Sequence, residues 1–201
     1  MAFECRKAML RRLHQPLFHR ILRGAVLDVG AGEDSIGKYK HFFPAIASVR
    51  DWNHSDGDGT DLEGIAPQTF HVVHSSHSLE HMRDPLTALR RWGEVTQIGG
   101  HVVVLVPDYI MYEHSKWPSE NGEHNACFIS DLALTRMDTV PGCIWDTALL
   151  MDGLNESGLA LVRMERLEST FDFDADPLLD QTCFGSGAGE CAIEFVWRRV
   201  S

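Results

Sequence analysis

The stretch Val26-Leu27-Asp28-Val29-Gly30-Ala31-Gly32-Glu33-Asp34 decides how the rest of the chain is read. A short apolar run carries an acid and stops at a glycine. A second glycine follows, and Ser35 to Phe43 then has helical character up to Pro44. Gly30 and Gly32 let a ligand approach the backbone closely, and the start of a helix offers unpaired N–H donors. A dinucleotide site wants G-x-G-x-x-G/A, but Ser35 stands at the third position. Asp28 could accept a bond from an ammonium group or orient the loop. Asp51, at the end of the next short strand, Ile46 to Val49, is an acid suited to ribose hydroxyls.

Working outward, residues 5–22 are predicted helical, with Leu10, Leu13, Leu17 and Ile21 on one face and a break at Pro16. The Asp- and Gly-rich stretch from Arg50 to Gly64 reads as loop. Phe70 to Ser75 is a strand. Asp84 is an N-cap and Pro85 a first helical residue. The helix they open carries Leu86, Leu89, Trp92 and Val95 on one stripe and is predicted to end near Gly99-Gly100. His101 to Val106 is a strand stopped by Pro107, residues 108–142 are irregular, and Cys143 to Glu156 is helical with Gly158 beyond it. Leu159 to Leu167 and Cys191 to Val200 are the two closing strands, the second alternating Ile193, Phe195 and Trp197 with Glu194 and Arg198. Strands alternating with helices, most strands uniformly apolar, predict one α/β domain. It has a parallel sheet covered on both faces, an antiparallel hairpin at one edge, and a ligand crevice at the carboxyl ends of the first strands.

Composition narrows the function classes. With 201 residues there is no room for a separate substrate domain, and no apolar run is long enough for a spanning helix. Eighteen Lys and Arg against 29 Asp and Glu give a net charge of −11, which argues against a broad grip on nucleic acid. Arg6, Lys7, Arg11, Arg12, Arg20 and Arg23 concentrate at the N-terminus. With no Ser-rich stretch or cleavage signal, they read as a helix covering one end of the domain rather than a transit peptide. The five cysteines, Cys5, Cys127, Cys143, Cys183 and Cys191, form no C-x-x-C pair and follow no secretory signal, so reduced thiols in a cytoplasmic protein are expected.

Four blocks, LDVGAGEDSIGKY (27–39), GDGTDLEGI (57–65), FHVVHSSHSLEHMRDP (70–85) and IGGHVVVLVPD (98–108), give the chain a resemblance to the class I S-adenosylmethionine-dependent methyltransferases, in the small-molecule group called type 11. The stretch YEHSKWPSENGEHNACF (112–128) is similar to a variant of that group. The resemblance covers roughly residues 24–128. It implies a Rossmann-like, mostly parallel seven-stranded sheet with helices on both faces. Residues 1–23 would be a helical cap, 24–108 the cofactor-binding core, 109–142 a substrate-side segment and 143–201 the closing helix and strands. It further implies that Asp28 and the backbone around Gly30 and Gly32 hold the methionine part of S-adenosylmethionine, that Asp51 takes the ribose hydroxyls, that Asp61 and the Leu62 amide contact the adenine edge, and that Ser76 lies along the cofactor. The chain departs from the pattern at Asp34, where a third glycine is commoner, and in the short segment from Val49 to Asp61.

Histidines 71, 74, 77 and 81 invite a metal reading, but His71 and His74 fall on opposite faces of a strand, and a full site would need distant ligands such as His114 or His124. The reading adopted has no metal: His71 and His74 are structural, while His77 and His81 border the crevice as candidate bases. Asp172-Phe173-Asp174-Ala175-Asp176 lacks the glycine and terminal Glu of a Ca²⁺ loop. Tyr112, Trp117, Asn121 and His124, in the segment after the 101–106 strand, suit a small planar or hydroxylated acceptor. The expected function is methyl transfer to O or N of a small-molecule metabolite in biosynthesis, with S-adenosylhomocysteine as product. A non-catalytic binding module and a nicotinamide-dependent oxidoreductase are the alternatives. No nucleic-acid or membrane partner is expected, and oligomeric state is left open.

Overall fold

A computed structural model describes residues 3–120, 123–130, 144–176, 179, 181–182 and 189–201. Six strands form the main sheet in the order β2-β1-β3-β4-β8-β7: β1 Gly24–Val29, β2 Ile46–Trp52, β3 Phe70–Ser76, β4 Thr96–Pro107, β7 Leu159–Leu167 and β8 Ala192–Arg199. The first four run parallel; β8 runs antiparallel to both β4 and β7. Two three-residue strands, β5 Cys127–Ile129 and β6 Ile144–Asp146, pair separately. The expectation of seven strands in the sheet is therefore corrected to six among the described residues. Residues 53–69, between β2 and β3, hold Gly57, Gly59, Gly64 and Pro67 and form turns, so β2 remains the edge.

Alternation along β1 distributes its side chains to two cores. Leu27 and Val29 face α3 (Pro85–Val95) and α4 (Thr147–Leu154), where Trp92, Leu89 and Leu150 are buried. Val26 faces α1 (Glu4–Arg12) and α2 (Pro16–Ile21), where Met9, Phe18 and Leu22 are buried. Pro16 opens α2 as its first residue, separating it from α1. Asp84 caps α3 by accepting from the Leu86 and Thr87 amides.

Three segments differ from expectation. Ser35–Phe43 becomes a 3-10 helix over Ile36–Phe42, capped by Ser35 Oγ, rather than an α-helix. α3 ends at Val95, well before Gly99-Gly100. That pair sits in a bulge of β4, where Gly99 has φ +80° and a Cβ on Gly100 would lie 2.5 Å from the His71 carbonyl. Ile144–Asp146, expected to begin a helix, is strand β6. Glu194, which alternates with the apolar residues of β8, is fully buried, because α1 covers it with Arg11 and Arg12. Cys143 and Cys183 lie outside the described residues; Cys5, Cys127 and Cys191 are buried and not joined in disulfides.

Candidate active site

The chain order reverses at β1, which has β2 on one side and β3 on the other, so a crevice opens beyond their carboxyl ends. It has two lobes of about 580 and 960 Å³ that share Gly30, His77, His81 and Glu123.

The loop between β1 and the 3-10 helix forms the floor. Gly30 and Gly32 have φ +72° and +51°, backbone that glycine adopts without strain. A Cβ at Gly30 would strike Ser78 Oγ at 2.1 Å, whereas one at Gly32 would find no protein atom nearer than 4.0 Å. Gly32 thus presents bare backbone to the first lobe, the form a closely approaching ligand requires. Asp28, at the end of β1, holds this loop. One carboxylate oxygen accepts from the Ile36 amide at 2.8 Å; the other meets His74 Nδ1 at 2.6 Å. His74 Nε2 lies 2.9 Å from Arg12. Arginine only donates, so Nε2 accepts and the imidazole proton sits on Nδ1, toward Asp28. Asp28 orients the loop and reaches the first lobe with the rest of its surface. His74 is structural, as expected, and His71 Nδ1 accepts from the Ala25 amide.

The second lobe is framed by Gly57 to Asp61, which two indoles anchor: Trp52 donates to the Gly57 carbonyl and Trp92 to that of Gly59. Asp61 lines this lobe, and Arg91 binds its carbonyl. The Leu62 amide is already committed to the Asp58 carbonyl at 3.1 Å, and Leu62 itself is buried in the core. Asp51 borders neither lobe; it is exposed and takes the Ser35 hydroxyl at 2.6 Å. Asn53 lines the second lobe instead and accepts from the Gly32 amide at 2.8 Å. Sequence reasoning missed it because it sought an acid. Its one signal was its position just beyond the end of β2, at the crevice side of the sheet.

Where the lobes meet, β3 ends and the chain turns through Ser76, His77 and Ser78 into a 3-10 turn, Leu79–His81. Ser76 and His77 line the first lobe. His77 has φ +51°, its ring packs against that of Tyr112 at a tilt of 51° with 5.1 Å between centroids, and Nε2 has no hydrogen-bond partner. Burial, reinforced by His124 and Lys7, lowers its pKa to about 3, so His77 is neutral at physiological pH. Burial also lowers that of His81, whose Nδ1 donates to the Glu123 carbonyl at 3.0 Å.

Asp108, at the end of β4, accepts from the Ile110 and Met111 amides and pairs with Arg166, fixing the turn that carries Tyr112 and Glu113. Tyr112 lines the first lobe. His124 lies behind His81, the rings 4.9 Å apart, with Nδ1 2.5 Å from Glu113. Burial alone would lower its pKa, but Glu113 and Glu80 outweigh that and raise it. Trp117 turns away and packs with Tyr109, Cys127 and Ile129, and Asn121 lies outside the described residues. Glu80, which sequence reasoning passed over, is fully buried beneath His77 and His81. Burial raises its pKa to about 8.

No described helix is long and apolar enough to cross a membrane. No curated protein sequence matches the chain. Among solved structures, the fold is similar to that of the methyltransferase complexed with the Haloferax volcanii Trm112 activator (TM-score 0.62, 13% identity, 99% of this chain and 98% of that one). It is also similar to a Bacillus halodurans methyltransferase (0.58, 12%, 96% and 98%) and to an S-adenosylmethionine-dependent methyltransferase from Mesorhizobium loti (0.57, 14%, 95% and 100%). The family model described as a methyltransferase domain matches residues 4–137, well over half of the sequence. The chain belongs to that family: it is a class I methyltransferase whose cofactor is S-adenosylmethionine.

Proposed function

We propose that the protein transfers a methyl group from S-adenosylmethionine to an oxygen or nitrogen of a small-molecule acceptor held in the first lobe. The observation that carries this is the size and walling of that lobe. At about 580 Å³ it falls within the range of ordinary small-ligand pockets, and Glu4 and Cys5 of α1 border it together with Tyr112 and Glu123. The second lobe, with Asn53 and Asp61, takes the adenosine, and the bare backbone at Gly32 lies against the methionine part.

The cofactor supplies a methyl group already activated on sulfonium sulfur. The remaining task of the chain is alignment and exclusion of water. Tyr112 and Ser76 would orient the acceptor, and His77, neutral and with Nε2 unpartnered, would accept a hydrogen bond from its O–H or N–H, burial making it too weak a base to hold the proton. His81 borders both lobes with Nε2 directed away from its Glu123 bond. His124 backs the wall rather than lining it.

A methylation assay with radiolabelled S-adenosylmethionine tests this against a metabolite extract split by size, with protein and nucleic-acid fractions as comparators. Label incorporated into material below about 1 kDa, a mass on the scale of the ligands such pockets enclose, is the expected result. Label appearing only in macromolecules would refute it.

A further inference from the structure

Behind His77 and His81, which line the first lobe, lies a group that methyl transfer by alignment leaves unexplained. The Glu80 carboxylate is fully buried, and neither of its oxygens has a hydrogen-bond partner. A buried carboxylate left unpaired is costly, and native proteins resolve such groups with hydrogen bonds, ions or metals. The nearest candidates miss it: His77 Nδ1 stands at 3.7 Å and His81 Nε2 at 4.0 Å, both beyond hydrogen-bond range.

The surrounding imidazoles are arranged with their other nitrogens already engaged. His81 Nδ1 donates to the Glu123 carbonyl, and His124 Nδ1 faces Glu113, whose second oxygen takes the Ser119 hydroxyl. Each ring is therefore fixed in orientation and tautomer, with Nε2 left as a lone-pair donor. A histidine whose distal nitrogen bonds a carboxylate or a backbone carbonyl is the usual outer partner arrangement of a metal ligand. The ligand atoms of Glu80, His81 and His124 all lie within 4.8 Å of one another. The Glu80 carbonyl accepts from both the Asn125 and Ala126 amides, which holds the segment bearing His124 against the turn bearing Glu80 and His81.

We propose that Glu80, His81 and His124 bind a first-row divalent cation such as Mn²⁺, Co²⁺ or Zn²⁺ beside the first lobe. Two imidazoles and one carboxylate are the donor set such ions prefer. Neighbouring ligands on an ion with bonds of about 2.0–2.2 Å stand roughly 3–3.5 Å apart, so the three side chains would draw in by about 1 Å. Three protein ligands leave coordination positions open. His81 borders both lobes, so those positions face the acceptor space. Resting on the proposed function, this directs the acceptor class toward molecules with an oxygen donor, a hydroxyl or carboxylate, next to the methylated atom. In the sequence, His124 stands among the distant ligands a metal would need, but the reading adopted there has no metal and does not weigh Glu80.

The test is calorimetric titration of chelator-treated, dialysed protein with MnCl₂ and ZnCl₂, without acceptor or S-adenosylmethionine, so that it stands apart from the proposed reaction. The wild type is expected to bind one equivalent. Glu80→Gln and His124→Ala should each lose at least about 100-fold in affinity, and Glu113→Gln, acting through His124, about 10–100-fold. His19→Ala, an exposed histidine elsewhere, should bind as the wild type does. Glu80→Gln preserves shape and removes the buried charge, so it guards against a variant that fails to fold. The metal should also raise the Tm of the wild type and leave that of Glu80→Gln unmoved. No binding by the wild type, or affinities unchanged in Glu80→Gln and His124→Ala, would overturn the proposal.

Discussion

Replacing Gly32 separates the space a ligand needs from the strain a side chain brings. Gly30 and Gly32 both have positive φ, so alanine at either costs about 1–2 kcal/mol in left-handed backbone. The difference lies in what the new methyl meets. At Gly30 it would overlap Ser78 Oγ at 2.1 Å and Ser78 Cβ at 2.4 Å, adding about 1–3 kcal/mol of overpacking. At about 2–4 °C per kcal/mol for a chain of this size, Gly30→Ala should lower Tm by about 4–20 °C and Gly32→Ala by only about 2–8 °C. Cofactor affinity should behave differently. The methyl at Gly32 projects into the first lobe, so S-adenosylhomocysteine binding should fall at least tenfold, about 1.4 kcal/mol. Gly32→Asn distinguishes the causes, because asparagine tolerates the left-handed region while filling more of the lobe. Its Tm should lie nearer the wild type than that of Gly32→Ala, and its affinity should be lower still. Calorimetric titration and thermal melts of the three variants read both quantities. If Gly32→Asn bound S-adenosylhomocysteine as well as the wild type, the cofactor would not lie against this loop and the placement would be wrong.

Other expectations follow from particular contacts. Asn53→Ala should weaken S-adenosylhomocysteine binding by about 1 kcal/mol or more, the scale of a lost hydrogen bond, and Asp51→Ala by less than about 0.5 kcal/mol; the reverse order in titration would return the ribose to Asp51. His77→Ala should lower kcat by about tenfold, the scale of one lost hydrogen bond, while S-adenosylhomocysteine affinity stays within about twofold, and unchanged turnover with one acceptor would remove it from the reaction. Glu194→Gln should cost about 3–5 kcal/mol in urea melts at pH 6, because it strands Arg12 in the core. Burial opposes the Glu194 charge, but Arg12 and Arg11 prevail and hold its pKa at about 2, below its unfolded value. The stability it contributes is present above about pH 4.3 and is lost as pH falls toward 2, so the gap between wild type and Glu194→Gln should narrow across that window.

What the sequence disclosed is what short-range chemistry determines. Pro16 must break a helix, Asp84-Pro85 must start one, and the uniformly apolar run at 102–106 and the mainly apolar one at 26–29 must be strands covered on both faces. Gly99-Gly100 misled because a glycine pair after a helical stripe looks like a stop, while its actual cause is a neighbour distant in sequence: the His71 carbonyl leaves no room for a Cβ. The site divides the same way. Gly30, Gly32, Ser76, His77 and His81 surround the crevice because strand ends place them there. Asn53 and Glu80 escaped notice because their significance depends on burial and on partners from other loops. Trp117 was misjudged for the complementary reason, since an aromatic side chain in a cleft-side loop can as easily serve that loop's own small core.

The basic N-terminus illustrates how far charge counting reaches and where it stops. Arg11 and Arg12 do not form a surface patch. Arg11 binds Glu190 and Glu194, and Arg12 binds Glu194 and His74, which in turn holds Asp28 beneath the glycine loop. The chain of contacts runs from α1 through the face of β8 and β3 to the end of β1, and it is buried at Arg12, His74, Asp28 and Glu194. Such groups contribute little net stability compared with apolar packing, yet each is costly to break, so they fix one arrangement rather than strengthen many. The helix they fix also lends Glu4 and Cys5 to the wall of the first lobe, and the Arg6 amide reaches Asp34 at the far end of the glycine loop. Through His74, α1 is thereby registered against Asp28, the carboxylate that positions the glycine loop. An N-terminal helix that a sequence reading treats as a lid on the domain is, by its buried charges, a structural part of the site.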